Sequence, residues 1–253
     1  MPRHFNKKFA VVLLTALSGF TGINSSAGIA VVKKPLKPVP KRKLLSQNQY
    51  NSEIPRLDIN LNIVRDMEAM DTNVYWPGGC SGPTVGVGFD LGYASPQTVE
   101  LVFHGLVDST TMQVLLSAHG VHGSRSLAWV LDHPVHITRQ QADVTFFRVT
   151  RIYWHETEKR FGSGVDKLDP TVKGVLLSLV MNYGGSNSAL DPVAVEISNG
   201  NIVGLAETVR TLSIGSTIDS HMQTALTKRR RVEHDFVNKT QSMFDSVSEV
   251  DPD

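Results

Sequence analysis

The stretch that most constrains the fold of this chain is residues 64–92. Apolar residues at helical spacing lead up to Met70, which predicts that a helix ends there. Residues 71–82 are then rich in Gly, Pro, Asp and Asn, the composition of tight turns. Residues 84–90 alternate small and apolar side chains, as a short strand does. The sequence therefore predicts a helix followed directly by a glycine-rich β-hairpin.

Two carboxylates flank this hairpin. Glu68 precedes the turn-rich segment, Asp90 ends the strand, and Thr84 supplies a hydroxyl near its start. Because Gly86 and Gly88 lack side chains, another group can approach this backbone closely. Two carboxylates beside an open surface suit hydrolysis of a glycosidic bond, which needs an acid and a base or nucleophile. The structural alternative is that both carboxylates are capping or solvated residues.

Four motifs give the chain a resemblance to a known enzyme family. Glu68 with Tyr75, followed by Gly-x-Thr-x-Gly-x-Gly, resembles the active-site signature of the phage-type lysozymes, glycoside hydrolase family 24. The continuation Gly-Phe-Asp-Leu-Gly (88–92) is closer to the variant in pesticin-like bacterial muramidases. Motifs similar to the family's inter-domain helix start, central-helix ending and final helix follow in the family's order, at residues 137–142, 179–185 and 228–233.

The resemblance implies an α+β, predominantly α-helical fold, lysozyme-like, with a small β-hairpin lobe and a larger helical lobe. It implies a cofactor-independent muramidase that cleaves the β-1,4 bond between N-acetylmuramic acid and N-acetylglucosamine with inversion. Glu68 would be the general acid, Asp90 the base, and Thr84 would position the attacking water. Burial beside Val64 and Met67 would raise the pKa of Glu68. The residues expected to contact the substrate are Tyr75, Gly86, Gly88, Asn182 and Tyr183.

The chain departs from the better-known phage enzymes in ways that bear on the base. Those enzymes carry an Asp where this chain has Pro77, and a His where it has Phe89. The spacing of Thr84 and Asp90 fits the pesticin-like arrangement instead. Asp71 is a competing candidate for the base, or else a residue that caps the turn.

Other functions stay open at this point. One is a catalytically inactive peptidoglycan-binding protein, and others are a chitinase or a lytic transglycosylase on the same fold. The expected partners are peptidoglycan glycan strands and a proteinaceous inhibitor or immunity protein, and a monomer is expected. A formal net charge of +1 argues against a dedicated nucleic-acid binder.

Composition divides the chain into four parts. Residues 1–27 have the charged start, apolar run and small residues of a signal peptide, which predicts export to the periplasm or the extracellular space; an uncleaved membrane anchor is the alternative. Residues 28–52 form a Pro/Lys-rich linker. Residues 53–242 are the expected catalytic domain, and residues 243–253 a polar tail.

Helix-start signals recur through the catalytic domain. Four of them are a Ser or Asp that is followed by Pro or Ser. The fifth is a capping box, which begins a long helix that ends near Phe161. A broad apolar face predicts that residues 170–183 form the central buried helix. The predicted first residues of these signals are Ser95, Asp108, Thr138, Asp169 and Asp191.

Three further groups of residues are candidates for function. Cys80 is the single cysteine, so no internal disulfide is possible, and it is expected in an exposed loop. The arginines 229–231 could bind carboxylates of peptidoglycan stems or pair with Glu233. No metal is predicted, since neither a carboxylate nor a cysteine completes the two His-x-x-His pairs, which are His119, His122, His133 and His136.

Overall fold

In a computed structural model the protein is mostly helical, with one small antiparallel sheet. The predicted α+β, predominantly helical class is therefore confirmed. The structure describes residues 58–68, 70–212 and 220–248. The predicted signal peptide and linker lie outside these residues, as does the end of the polar tail.

The elements of the described residues follow one another closely along the chain. Short 3₁₀ turns at Ser163–Lys167 and Ser188–Leu190 join some of the helices. The strands are β1 (Met70–Tyr75), β2 (Thr84–Val87) and β3 (Phe89–Asp90). The helices are α1 (Leu61–Met67), α2 (Pro96–Phe103), α3 (Ser109–Ser117), α4 (Arg125–Asp132), α5 (Arg139–Phe161), α6 (Pro170–Tyr183), α7 (Asp191–Ser198), α8 (Ile202–Thr211) and α9 (Ser220–Ser248).

Strand β1 was not predicted. The helix expected to reach Met70 ends at Met67, and the segment expected to contain only turns begins as a strand that pairs with β2. Its backbone is also satisfied on the other side, where the Val74 amide donates to the Val135 carbonyl at 2.9 Å. The polar residues at the start of β1 hide the strand from a sequence pattern, because only Val74 of this strand is buried.

Local capping chemistry was predicted well. Ser95, Asp108 and Asp169 each accept a hydrogen bond from a backbone amide of the first helical turn. Thr138 forms the predicted capping box, in which its side chain and that of Gln141 exchange hydrogen bonds with the backbone. These contacts satisfy amides that a helix start leaves unpaired.

Two helix ends differ in detail from the prediction, although a helix does start at Asp191 as predicted. Asp191 is the first residue of α7 and not its cap, and its carboxylate forms an ion pair with Arg160 instead. The final helix was predicted to span residues 216–238; within the described residues, α9 continues beyond that range into residues 243–248, which were assigned to the tail. Intrinsic helix propensity does not mark such ends when no Gly or Pro interrupts the pattern.

Helix α6 is the centre of the fold. It is buried along most of its length and contacts α1, α5 and α9. Gly174 lets α1 approach closely, because a Cβ atom there would lie 2.6 Å from the Asn60 carbonyl oxygen. The prediction of a central buried helix is therefore confirmed. Apolar as α6 is, no helix among the described residues has both the length and the hydropathy to cross a membrane.

Candidate active site

One face of the sheet carries a row of three side chains from the predicted site. Tyr75 of β1 is paired with Thr84 of β2, and Thr84 is paired with Asp90 of β3. Residues directly opposite each other in an antiparallel sheet point to the same face. The structure therefore brings together three of the predicted site residues, and this set is called the Tyr75–Thr84–Asp90 row.

Glu68 lies close to this row. Burial raises the pKa of Tyr75, and the negative charges of Glu68, Asp71 and Asp90 raise it further. Glu68 follows α1 directly and precedes β1 by two residues, and its charge acts on Tyr75 together with the charges of Asp71 and Asp90.

The side chain of Glu68 is almost completely buried. Glu68 caps the end of α1, and its side chain is 1% exposed. Its Oε1 accepts a hydrogen bond from Arg229 Nη1 at 2.9 Å, while Oε2 has no hydrogen-bond partner among the described residues. Burial raises the pKa of Glu68 and the Arg229 guanidinium partly offsets this. Burial beside Val64 and Met67 was predicted to raise the pKa of Glu68, and the direction of the shift agrees with that prediction.

Arg229 belongs to a buried charge network that also contains Glu233 and Arg230. Arg229 Nε donates to Glu233 Oε1 at 3.2 Å, and Arg230 Nη1 lies 2.6 Å from Glu233 Oε2. The Ser178 hydroxyl donates to Glu233 as well. The predicted ion-pair role for at least one arginine of the run 229–231 is therefore confirmed. Arg231 is exposed.

Asn182 and Tyr183 contact the same network. Asn182 Oδ1 accepts a hydrogen bond from Arg230 Nη2 at 2.7 Å, and the Arg230 guanidinium lies 5.1 Å from the centre of the Tyr183 ring. Asn182 is buried. The structure thus gives Asn182 a role in holding Arg230, and it does not place that side chain where a sugar could reach it.

Asp90 is held by backbone amides. Its Oδ2 accepts from Gly82 at 2.9 Å, and its Oδ1 accepts from Gly92 at 2.8 Å and from Tyr93 at 3.2 Å. Burial raises the pKa of Asp90, and these hydrogen bonds partly offset the increase. Each carboxylate oxygen can accept two hydrogen bonds, so Oδ2 can accept one more.

The Thr84 hydroxyl donates to the Gly82 carbonyl at 3.1 Å. Its single proton is therefore occupied, and its oxygen acts as an acceptor. Thr84 and Asp90 then present two acceptors on the same face of the sheet, which is an arrangement that can orient a water molecule.

Two glycines make the Asp90 loop possible. A Cβ atom at Gly92 would lie 2.3 Å from the Val121 carbonyl oxygen and 2.8 Å from the Gly82 Cα.

We expect Gly92→Ala to lower the free energy of unfolding by about 1–3 kcal/mol, because rigid backbone atoms must move to admit a methyl group. Urea unfolding measures this, and Gly164→Ala is the control, since a Cβ there meets nothing within 4 Å.

Gly86 and Gly88, which were predicted to contact the substrate, do not lie on an open surface. Both glycines are buried. Gly86 has a φ of 66° and faces Ala142 of α5, with a Cβ position 3.9 Å from that residue. The group that approaches this backbone closely is therefore a helix of the same chain.

A cleft of about 390 Å³ opens beside Asp90. Its far wall comes from α5, including Tyr153 and Glu156, and from the turn after α6 at 184–186. Glu68 and Thr84 do not line it. Sequence reasoning missed Glu156, although Val149, Ile152 and Glu156 recur at helical spacing, and a carboxylate on such a face was the available signal.

The remaining candidates have structural roles. Asp71 was predicted to cap a turn but lies in β1, where its carboxylate accepts a hydrogen bond from the Asn73 amide at 2.9 Å beside an irregularity in the β1–β2 register. Cys80 is exposed, as predicted. The histidines of the two His-x-x-His pairs bind separate partners, such as His119 to the Ala94 carbonyl and His136 to Asn73. Among the described residues, no group of three or more His, Cys, Asp or Glu could hold a metal ion.

Comparison with known proteins assigns the chain to no family. No protein-family model matches it, and no curated protein matches its sequence.

Proposed function

We propose that this protein is an exported muramidase with a lysozyme-like fold, which hydrolyses the β-1,4 bond between N-acetylmuramic acid and N-acetylglucosamine. The observation that carries the proposal is the Tyr75–Thr84–Asp90 row beside the buried Glu68. It combines a carboxyl group with a raised pKa, a second carboxylate with a remaining acceptor site, and a hydroxyl that faces the same way. These are the parts that glycoside hydrolysis needs.

In the proposed reaction Glu68 is the general acid. Its raised pKa favours the protonated form, and the proton on Oε2 passes to the glycosidic oxygen as the bond to the anomeric carbon breaks. The Glu68 carboxylate that results is stabilised by Arg229, which lies 2.9 Å away. Arg229 therefore stabilises the ionised Glu68 that the proton transfer produces.

Asp90 is the proposed base. A water molecule donates one hydrogen bond to Asp90 Oδ2 and the other to Thr84 Oγ1, so that its lone pair faces the anomeric carbon. The water oxygen forms the new bond, and its proton moves to Asp90. Because the water attacks opposite the leaving group, the configuration inverts.

Catalysis requires this site to open. Glu68 is 1% exposed and the cleft beside Asp90 does not reach it. The proposed function therefore includes a movement of the sheet relative to α6 and α9 that admits the glycan between Glu68 and Asp90. Such movements are common in enzymes that enclose their substrates.

Asp90→Asn tests the base. We expect turnover of purified peptidoglycan to fall about 100-fold or more, because the amide cannot take the proton from water. Release of reducing ends measures this, beside Asp71→Asn as the matched control, which should keep most of the activity. Loss of turnover in Asp71→Asn with activity kept in Asp90→Asn would reverse the two roles.

A peptidoglycan-binding protein without turnover is the second candidate, and the burial of Glu68 favours it. Wild-type protein that sediments with sacculi but releases no fragments would establish this alternative. Among active outcomes, anhydro-muramic ends in place of reducing ends would identify a lytic transglycosylase, and preference for chitin a chitinase.

A further inference from the structure

The cleft beside Asp90 has negatively charged walls. Of the described residues that line it, Asp90 and Glu156 alone have charged side chains. Asp90 belongs to the sheet and Glu156 to the wall that α5 forms. A volume of about 390 Å³ is within the range of small-ligand sites. A ligand that enters this cleft therefore meets two carboxylates.

Glu156 is held on the cleft wall without a counter-ion. A Cβ atom at Gly185 would lie 3.2 Å from Glu156 Oε2 and 3.3 Å from Glu156 Cβ. Because Gly185 has no side chain, Glu156 can pack against the turn that follows α6. The side chain is partly exposed, and its carboxylate has no salt-bridge or hydrogen-bond partner among the described residues. The charge of Glu156 is therefore available to a ligand.

Several cations lie near the cleft, and none of those that the structure describes lines it. Arg160, one helical turn after Glu156, forms an ion pair with Asp191. The His122 ring packs on Tyr93, with 4.1 Å between the ring centres, and it adds positive charge beside Asp90 when protonated. Three further cations line a separate cavity between α2 and α5, which Glu156 also borders, and these are Arg148, Arg151 and His155.

The charge of the sequence around the cleft has the same sign. Residues 53–253 have 24 acidic and 16 basic side chains, a formal net charge of −8, whereas residues 1–52 have 9 basic side chains and no acidic one. The field of such a domain raises the local concentration of ligands of the opposite charge. The part of the chain that contains the cleft therefore attracts cationic ligands.

Aromatic rings accompany the two carboxylates. Tyr93 and Tyr153 line the same cleft. An aromatic ring offers apolar area to the carbon face of a sugar, and its π-system attracts a cation. A sugar that carries an ammonium group therefore suits both the rings and the carboxylates.

We propose that Glu156 makes this cleft selective for a glycan with a free ammonium group, namely glucosamine in place of N-acetylglucosamine. The inference rests on the proposed function, because it takes the cleft beside Asp90 as the place where the glycan lies. The sugar ammonium donates a charge-assisted hydrogen bond to the Glu156 carboxylate, and Asp90 remains available to the attacking water. An N-acetyl group carries no charge, so it gains less from Glu156. The preferred substrate is then a wall glycan that has lost acetyl groups.

The test compares two tetrasaccharides that differ only in their amino groups, one of glucosamine and one of N-acetylglucosamine. Their affinities are measured by titration calorimetry with Glu68→Gln protein, so that neither is hydrolysed, at low salt and at a pH at which the sugar amines are protonated. We expect the glucosamine tetramer to bind more tightly. Adding Glu156→Gln should decrease the ratio of the two affinities about fivefold, the size of one ion pair at a partly exposed site. Adding Glu156→Lys instead should decrease the ratio further.

Glu158→Gln is the matched control. Glu158 lies on the same helix, is partly exposed, and is not among the described residues that line the cleft. The substitution removes the same charge and should leave the ratio of affinities as it was. Equal decreases in Glu156→Gln and Glu158→Gln would overturn the inference, since the charge of the whole domain would then select the ligand. A ratio that neither Glu156→Gln nor Glu156→Lys changes would overturn it as well.

Failure of the inference and failure of the proposed function give different results. If the protein with Glu68 intact hydrolyses peptidoglycan and the ratio of affinities does not depend on Glu156, the selectivity is refuted and the muramidase proposal stands. If that protein hydrolyses no glycan, but the glucosamine tetramer still binds more tightly through Glu156, the selectivity is established and catalysis is not.

Discussion

Glu68→Gln is expected to reduce the turnover of purified peptidoglycan by about 1,000-fold, the range that a positioned general acid contributes. The amide has no proton to give to the leaving oxygen. The variant should fold, because Arg229 keeps its hydrogen bonds to Glu233 and to Ser178 when the carboxylate is lost. Release of reducing ends by mature protein, residues 28–253, measures the effect.

The dependence of turnover on pH gives this prediction a second readout. Glu68 must be protonated, and burial raises its pKa, so activity should decrease as the pH rises through that pKa. Asp90 must be ionised, and burial raises its pKa as well, so activity should increase as the pH rises through the pKa of Asp90. The expected profile is bell-shaped, because the active form has Glu68 protonated and Asp90 ionised.

Two results would contradict the assignment of the acid. One is a Glu68→Gln variant that keeps turnover near that of wild type. The other is a wild-type profile without a descending limb below the range in which tyrosine and lysine titrate. A Glu68→Gln variant that still binds sacculi as wild type does would show that the substitution affects chemistry and not the fold.

The features of this fold that the sequence could predict are those that depend on residues close together in the chain. The helix caps at Ser95, Asp108 and Thr138 each act within one helical turn, so the residues that form them are adjacent in the sequence. Strand β1 depends on a partner strand and on the Val135 carbonyl, which lies far along the chain. Its polar composition carried no sign of that pairing.

The same distinction applies to the candidate site. Thr84 and Asp90 lie on one short hairpin, so their spacing in the sequence indicated their proximity. The ion pair between Glu68 and Arg229 joins residues 161 positions apart, and no local pattern predicts it. Glu156 enters the cleft only because α5 crosses beside β3 and the turn after α6. Long-range packing decides which polar side chains share a cavity, and the sequence pattern does not contain it.

Replacement of Glu233 is expected to have the largest effect on stability. Its side chain is 0% exposed and it is the ionic partner of both Arg229 and Arg230. In Glu233→Gln, Arg229 keeps Glu68, while Arg230 keeps its hydrogen bond to Asn182 but has no carboxylate within 4 Å among the described residues. A buried charge without a counter-ion costs about 3–5 kcal/mol, and urea unfolding should show a loss of this size.

Asp235→Asn is the matched control on the same helix, since its side chain is 55% exposed, and it should change the free energy of unfolding by less than about 0.5 kcal/mol. Adding Arg230→Met to Glu233→Gln removes the uncompensated charge, so the double variant should be more stable than Glu233→Gln alone. A single variant as stable as wild type would mean that the network is not desolvated. Arg229 would then not be the desolvated partner that the proposed role of Glu68 requires.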